Sequence, residues 1–337
     1  MKKALISGIF GQDSYYLSEL LLSKGYEVYG MYRRTGHDID TRRGQLSKDI
    51  HLVEGDITDF PSLLRLIKEI EPDEIYNLAA QSFVPASWSQ SISTAEITGL
   101  GALNIFEAVQ NTNPKIRIYQ ASSSEMFGKV LETPQSETTP FNPRSPYATS
   151  KVFAHHMANV YRESYGLFIS CGILFNHESP MRPKQFITRK ISYSVAKIKL
   201  GLQDCLEVGN IDAKRDWGFA GDYVEAMWAM LQQDKPDDFV ISTGETHSVK
   251  EFITEAFKTC YMDLVWEGMG LDTVGKVDGK VVVKINVKYY RPAEVDILTG
   301  DCSKAIKTFD WKPKTKFHEL VKLMVEVDWG KLQNEKN

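Results

Sequence analysis

The stretch Ala4-Leu5-Ile6-Ser7-Gly8-Ile9-Phe10-Gly11-Gln12-Asp13-Ser14 decides how the rest of the chain is read. A compact apolar strand runs into a glycine turn, after which Leu17, Leu20 and Leu21 recur at helical spacing. In this strand, turn and helix, Gly8 and Gly11 permit a tight bend and let a pyrophosphate reach the backbone N–H groups at the helix start. Ser14 stands where a third glycine would complete the fingerprint. Its side chain sits at helix–strand packing distance, so the expectation is a slightly altered helix position with dinucleotide binding retained.

Working outward, Glu27 to Tyr32 is a second strand ending in Arg33-Arg34. A site for NAD usually places an acid near this strand end, whereas arginine suits a 2′-phosphate, so NADP is preferred and NAD is the lesser alternative. A solvated basic loop, extended by Thr41-Arg42-Arg43, is the plainer reading of the same residues. His51-Leu52-Val53 then leads to Asp56 and Ile57, with Asp56 placed to meet an adenine amino group. Pro61 to Ile70 reads as a helix and Glu74 to Leu78 as a strand. The following Ala79, Ala80, Gln81 and Ser82 are small or polar, so backbone can pack against the cofactor. Asn104, in the next helix, is expected to be a structural hydrogen-bonder. This alternation predicts an α/β fold with a doubly wound parallel sheet of Rossmann type.

The 337 residues exceed one average domain, which predicts a dinucleotide-binding unit (residues 1–175) and a smaller C-terminal α/β lobe (176–337), interleaved at the edge of the sheet. A formal charge of −4 and a pI near 6.0 argue against a nucleic-acid partner. Cys171, Cys205, Cys260 and Cys302 show no close pairing, so neither a zinc site nor a disulfide framework is expected, and a reducing cytoplasm fits. The apolar run after Met1-Lys2-Lys3 is too short for a signal peptide, and no stretch is long enough to span a membrane.

Between Arg117 and Lys151 the chain gathers the side chains of an oxidation followed by an elimination. Ile116 to Ala121 reads as a buried strand ending in Ser122-Ser123-Ser124-Glu125, where a parallel sheet presents its carboxyl edge. In Pro146-Tyr147-Ala148-Thr149-Ser150-Lys151, a helix starting near the proline puts Tyr147 and Lys151 on one face, with the ammonium expected to favour the phenolate. That asks for a shift of roughly three units, about 4 kcal/mol, so a second positive charge such as an oxidised nicotinamide ring is expected nearby. Among 15 tyrosines such a pair arises by chance about once, and its position downstream of the glycine turn and the serine-rich strand end gives it weight. Glu125 has its own use: beside a sugar whose C4 is a ketone, a carboxylate can take the acidic C5 proton while the C6 hydroxyl leaves.

Beyond Lys151, Leu167 to Leu174 is a sixth strand, left through the polar loop Phe175 to Pro180. Arg189-Lys190, near a helix start, form a candidate diphosphate clamp. Glu267 to Lys288 reads as a loop with short strands, and helices over Cys302 to Phe309 and Phe317 to Val327 end the chain.

The runs Gly11-Gln12-Asp13, Gln120 to Glu125, Arg144 to Tyr147, Ile173 to Pro180, Asp212 to Gly218 and Tyr289 to Pro292 make almost the whole chain resemble the GDP-mannose 4,6-dehydratases of the extended short-chain dehydrogenase/reductase superfamily. The resemblance implies a hydro-lyase that oxidises C4 of a GDP-manno sugar, eliminates water across C5 and C6, and returns the hydride to C6. It puts Ser123, Glu125, Tyr147 and Lys151 at the catalytic positions. The GDP moiety would meet Asn176, Lys190, Arg215, Arg291 and Glu294, with Ser82 also on the substrate side. Cofactor contacts would come from Gly8, Phe10, Gly11, Gln12, Asp13, Arg33, Asp56, Ile57, Leu78, Ala79, Ala80, Ser82, Tyr147, Lys151, His177 and Arg182. A homodimer or homotetramer is implied, with the loop from Arg33 to Arg43 reaching a neighbouring subunit. Against the family pattern, Ser123 replaces threonine, and Phe83, Trp88, Phe127, Met181, Pro183 and Phe219 are further departures. They raise GDP-manno-heptose as an alternative substrate. A sugar-nucleotide epimerase or reductase, which would not need Glu125, is a competing enzymatic reading, and a catalytically silent cofactor-binding protein is the non-enzymatic one.

Overall fold

The structure, a computed structural model, describes residues 1–34, 43–290 and 297–336. Strands β1 (Lys3–Ser7), β2 (Glu27–Tyr32), β3 (His51–Glu54), β4 (Glu74–Asn77), β5 (Arg117–Ser123) and β6 (Ile169–Leu174) alternate with helices. The chain leaves the sheet as β7 (Asn176–Glu178), β8 (Leu206–Val208), β9 (Lys214–Arg215) and β10 (Trp217–Phe219), then returns with β11 (Asp238–Ile241). The resulting seven-stranded sheet has the order β11-β6-β5-β4-β1-β2-β3, with every pairing parallel. This is the expected doubly wound α/β architecture, whose strand order reverses beside β1.

Both faces of such a sheet must be covered, so its central strands are buried: every residue of β4 and of β6 is. Helices Gln12–Ser23 and Ala220–Met230 cover one face, where Leu17, Leu21, Val224 and Met227 join Ile6, Val28 and Phe239. Phe60–Ile70, Gly101–Gln110 and Pro146–Tyr165 cover the other with Leu66, Phe106 and Ala154. Fully burying one such leucine or phenylalanine stabilises the fold by about 1.5–3 kcal/mol. Asn104 in the second layer is structural, donating to Ile57 O at 2.9 Å.

The glycine turn is tight. Gly8 has φ +72°, and a Cβ there would sit 3.0 Å from Ala79 Cα. The fully buried Ser14 is accommodated by bonding across the turn, its hydroxyl donating to Gly8 O at 2.9 Å.

The short strands expected between Glu267 and Lys288 are present and ordered into a sheet: β13 (Val265–Glu267), β14 (Val274–Val277) and β15 (Lys280–Ile285), following β12 (His247–Ser248), make a four-stranded sheet with β8. A further short strand, β16 (Ile297–Leu298), pairs with β9. The last helix runs Phe317–Lys336, past the expected end at Val327, because buried Asp328 and Leu332 continue its inner face. Asp328 receives Arg189 Nε at 3.0 and 2.8 Å and Ser192 Oγ at 2.6 Å. No helix among the described residues is long and apolar enough to cross a membrane.

Candidate active site

A cavity of about 730 Å³ opens at the carboxyl edge of the sheet, between that edge and the smaller lobe. Its sheet-side wall carries Leu78, Ala80 and Ser82 after β4, Ser122 to Glu125 at the end of β5, and Tyr147 and Lys151. The lobe-side wall carries Asn176, His177, Arg182, Lys184, Lys190, Arg215, Lys288 and Tyr289.

Local sequence explains how the four candidate catalytic residues meet. β5 ends at Ser123, whose hydroxyl accepts from Glu125 N at 3.2 Å and so caps the short turn Ser124–Met126. Ser145 caps the next long helix by accepting from Ala148 N at 3.1 Å, and Pro146 fills its first position, where no N–H is needed. Tyr147 therefore enters the cavity one turn before Lys151, with its phenol facing Ser123.

The Tyr147–Lys151 pair differs from its expected electrostatics. Lys151 Nζ donates to Ala121 O at 2.7 Å and lies 5.8 Å from the centroid of the Tyr147 ring. Burial pushes the tyrosine up to about 12, with Glu125 adding to the rise and the Ser123 hydroxyl opposing it. Burial likewise brings Lys151 down to about 8. Both effects have one cause, since a site closed to water disfavours either charged form. Without a further positive charge, Tyr147 is a phenol at neutral pH.

The residues of the glycine fingerprint divide. Gly8 and Gly11 form the turn, Gly11 N donating to Gly8 O at 2.9 Å, and Phe10 lies against Tyr32 with ring centroids 5.9 Å apart. Gln12 and Asp13 turn to the smaller lobe. Gln12 donates to His177 O at 3.0 Å and accepts from Ser179 Oγ at 2.8 Å, while Asp13 Oδ2 meets His177 Nε2 at 2.9 Å. Burial raises the Asp13 carboxyl, but the His177 imidazole outweighs it and holds the group at about 2. His177 is raised for the same reason, with burial opposing.

Of the other expected cofactor contacts, Arg33 is exposed at the end of β2, outside the cavity lining. Ile57 and Ala79 pack into the core, which leaves their backbones, and not their side chains, available to a ligand. Asp56 accepts from Thr58 N at 2.9 Å and Thr58 Oγ1 at 2.8 Å through Oδ1. Arg182 lines the cavity, its guanidinium 3.7 Å over Phe186 and its Nε 3.1 Å from Glu178. Thr41 and Arg42, like Arg291 and Glu294, fall outside the described residues.

On the lobe wall the expected cation pair separates. Lys190 faces the cavity, with Nζ 3.5 Å over the ring of Tyr289, and burial lowers its pKa. Arg189 points the other way: its ion pair with Asp328 fastens helix Ile187–Lys199 to the C-terminal helix, so it is no diphosphate clamp. Asn176 Oδ1 is buried without a hydrogen-bond partner among the described residues, and its residue lines the cavity. Arg215 is buried on β9, which pairs with β12 through His247. Sequence reasoning passed over Tyr289 and Lys288 as lining residues, although an aromatic pair at the end of a lysine-rich segment was the available signal. Of the six larger departures from the family pattern, only Phe83 and Trp88 line the cavity; Phe127 is core, packed on Phe141 and Phe175.

Residues 5–324 match the family model described as GDP-mannose 4,6 dehydratase. The chain is 51% identical to the GDP-mannose 4,6 dehydratase of Homo sapiens, covering 96% of this chain and 91% of that protein. It is 52% identical to GDP-mannose 4,6 dehydratase 2 of Caenorhabditis elegans, covering 97% and 89%. Among solved structures, UDP-glucose 4-epimerase of Thermus thermophilus in complex with NAD has TM-score 0.82 at 24% identity, covering 97% of this chain and 99% of that one. RMD from Pseudomonas aeruginosa, complexed with NADPH, has TM-score 0.78 at 22% identity, covering 98% and 100%. At these identities the two structures speak for the fold alone.

Proposed function

The chain belongs to the GDP-mannose 4,6-dehydratase family, and from that premise we propose that it converts GDP-mannose into its GDP-4-keto-6-deoxy derivative with NADP held through the cycle. The observation that carries the reading is the meeting of Ser123, Glu125, Tyr147 and Lys151 on one wall of a cavity whose opposite wall is cationic.

The residues fit a dinucleotide. Gly8 and Gly11 keep the turn tight, which presents the first N–H groups of helix Gln12–Ser23 to a phosphate, and Leu78 and Ala80 give the cofactor a smooth bed beside Tyr147 and Lys151. What the nicotinamide dinucleotide supplies, when bound, is a reversible two-electron acceptor, reduced as C4 is oxidised and reoxidised as C6 is reduced. Arg33 favours NADP over NAD by offering a guanidinium to a 2′-phosphate. Tyr147 takes the C4 hydroxyl proton, with Ser123 orienting both groups by hydrogen bonding. Lys151 stabilises the developing phenolate. Glu125 removes the C5 proton and delivers it to the departing C6 oxygen, so the products are a 4-keto-5-ene and one water. Reduction at C6 with protonation at C5 completes a reaction of no net redox change. Lys190, Arg215 and Asn176 bind the GDP end, with Arg291 and Glu294 assigned there by the family likeness. On this reading the protein works as a homodimer or homotetramer in the cytoplasm.

GDP-manno-heptose has less support, because most of the departures that suggested it lie away from the cavity. Mass spectrometry of GDP-mannose after incubation with the purified protein tests the proposal. The expected product has lost one water without added reductant; recovery of GDP-mannose, or of an epimer of equal mass, would overturn it.

A further inference from the structure

Behind the Ser122–Glu125 turn lies a buried polar chain that the chemistry above leaves unused. Ser122 Oγ is 3.0 Å from His155 Nδ1, His155 Nε2 is 3.5 Å from Asp238 Oδ2, and Asp238 Oδ1 receives Arg162 at 2.6 Å. These groups come from β5, helix Pro146–Tyr165 and β11, so three elements of the main sheet layer meet in one network. Ser122 and His155 are buried, at 4% and 3% exposure, and Ser122 also borders the cavity. His155, Cys171 and Asp238 have the composition of a metal site, their ligand atoms lying within 4.8 Å of one another. The cluster already holds a cation, however: the Arg162 guanidinium is bonded to Asp238 and lies 4.0 Å from Cys171 Sγ.

The network has a direction. The contact with Asp238 is longer than a good hydrogen bond, but the carboxylate's charge favours a ring proton on Nε2, which leaves Nδ1 to accept from the Ser122 hydroxyl. Burial lowers His155 to about 4 against the pull of Asp238, so the neutral ring keeps this tautomer at neutral pH. Along the helix, three residues spaced by four then engage three successive residues of the strand. Lys151 donates to Ala121 O at 2.7 Å, His155 holds Ser122, and the Tyr147 phenol faces Ser123.

We propose that His155 is a positioning residue: through Ser122 it fixes the end of β5 against the helix, and thereby sets Ser123 and Glu125 relative to Tyr147. The proposal rests on the dehydratase reading of the cavity. A hydroxyl buried against an apolar side chain would seek another partner, and the strand end that carries two reacting side chains would move with it.

Steady-state kinetics of the NADP-loaded enzyme on GDP-mannose, with His155→Leu, His155→Asn, Ser122→Ala and the Leu/Ala double variant, provide the test. His155→Leu is expected to lower kcat roughly tenfold or more with KM within about twofold, the signature of a misplaced reacting group. Ser122→Ala should lose a similar amount, and the double variant no more than the worse single one. His155→Asn, whose Oδ1 stands in for Nδ1, should recover most of the rate. Single losses that multiply in the double variant, an Asn variant no better than Leu, or a folded His155→Leu enzyme at full kcat would each overturn the proposal. Nitrogen-15 spectra of histidine-labelled protein give a second arm that needs no turnover: an Nε2-protonated His155 whose Nδ1 signal moves in Ser122→Ala supports the network, and an Nδ1-protonated ring refutes it. Should wild-type protein leave GDP-mannose unchanged, the functional reading fails by itself, and the nitrogen-15 arm still decides the contact.

Discussion

The two walls of the cavity are assembled in opposite ways. The sheet-side wall draws its proposed reacting groups from one strand end and one helix start, within the span Ser122 to Lys151. The lobe-side wall collects Asn176, Lys190, Arg215, Lys288 and Tyr289 from separate segments of the chain. The first wall is dry and nearly neutral, and burial there moves Tyr147 and Lys151 toward their uncharged forms. The second is cationic and partly open, with Lys288 and Tyr289 exposed. On the proposed reading, chemistry that depends on proton affinities is housed where water is excluded, and recognition of a diphosphate is left to the more open, cationic wall.

This contrast predicts different failures on the two sides. The largest effect belongs to Glu125→Gln, expected to cost at least about 10³-fold in dehydration, within the range of general acid–base catalysis. C4 oxidation should persist, visible as cofactor reduction at the nicotinamide absorbance on adding GDP-mannose. Full dehydration by this variant would break the division of labour. Next comes Asp328→Ala, which strands the buried Arg189 guanidinium behind the lobe wall and should destabilise the protein by about 3–5 kcal/mol in denaturant melts. An unchanged midpoint would mean that the lobe does not depend on this pair. On the lobe wall itself, Lys190→Ala should raise KM for GDP-mannose by roughly tenfold to a hundredfold, with kcat changed far less, as expected for uniform binding energy. A loss confined to kcat would erase the distinction between the walls.

The sheet-side wall was largely legible in the sequence, because its order is local. A glycine turn after β1, a serine-rich end of β5, and a tyrosine four residues before a lysine each report on geometry within a few residues. The partner of Lys151 was not legible, since Ala121 O lies 30 residues back and a carbonyl leaves no trace in side-chain spacing. Arg189 and Lys190 show the same limit more sharply. As neighbours on a helix they point to different sides, and only the distant Asp328 decides that one of them leaves the cavity. The short strands of the smaller lobe were legible only as a mixed segment, and their bounds and pairing were not, because exposed lysines interrupt their alternation, as in the Lys280–Ile285 run.

The smallest predicted effect lies where the walls join, at the Asp13–His177 pair. Asp13 falls from 3.8 to about 2 on folding, so its contribution is present above pH 4 and is lost as pH falls toward about 2. His177 is raised above 6.5, so its contribution is complete below that value and fades as pH rises through the raised pKa. These are two views of one ion pair, worth about 2.5 kcal/mol at most. The difference in melting temperature between wild type and His177→Asn should therefore be widest between about pH 4 and 6.5 and shrink on either side. A gap that does not vary with pH would show that His177 serves by packing on Tyr223, 4.8 Å away, and not by charge.

Immediately after β6 the chain lays Asn176–Glu178 in parallel register with Trp217–Phe219, pairing Asn176 with Trp217. That short ladder ties together two segments of the smaller lobe, and the bonds from Gln12 to His177 O and from Ser179 to Gln12 seam them to the first helix. A seam of this kind resists the wholesale swinging of one half over the other. Any gate for entering nucleotide or departing product would then be small: an aromatic ring turning aside, or a lysine stem folding back, at the mouth of an otherwise stationary cleft.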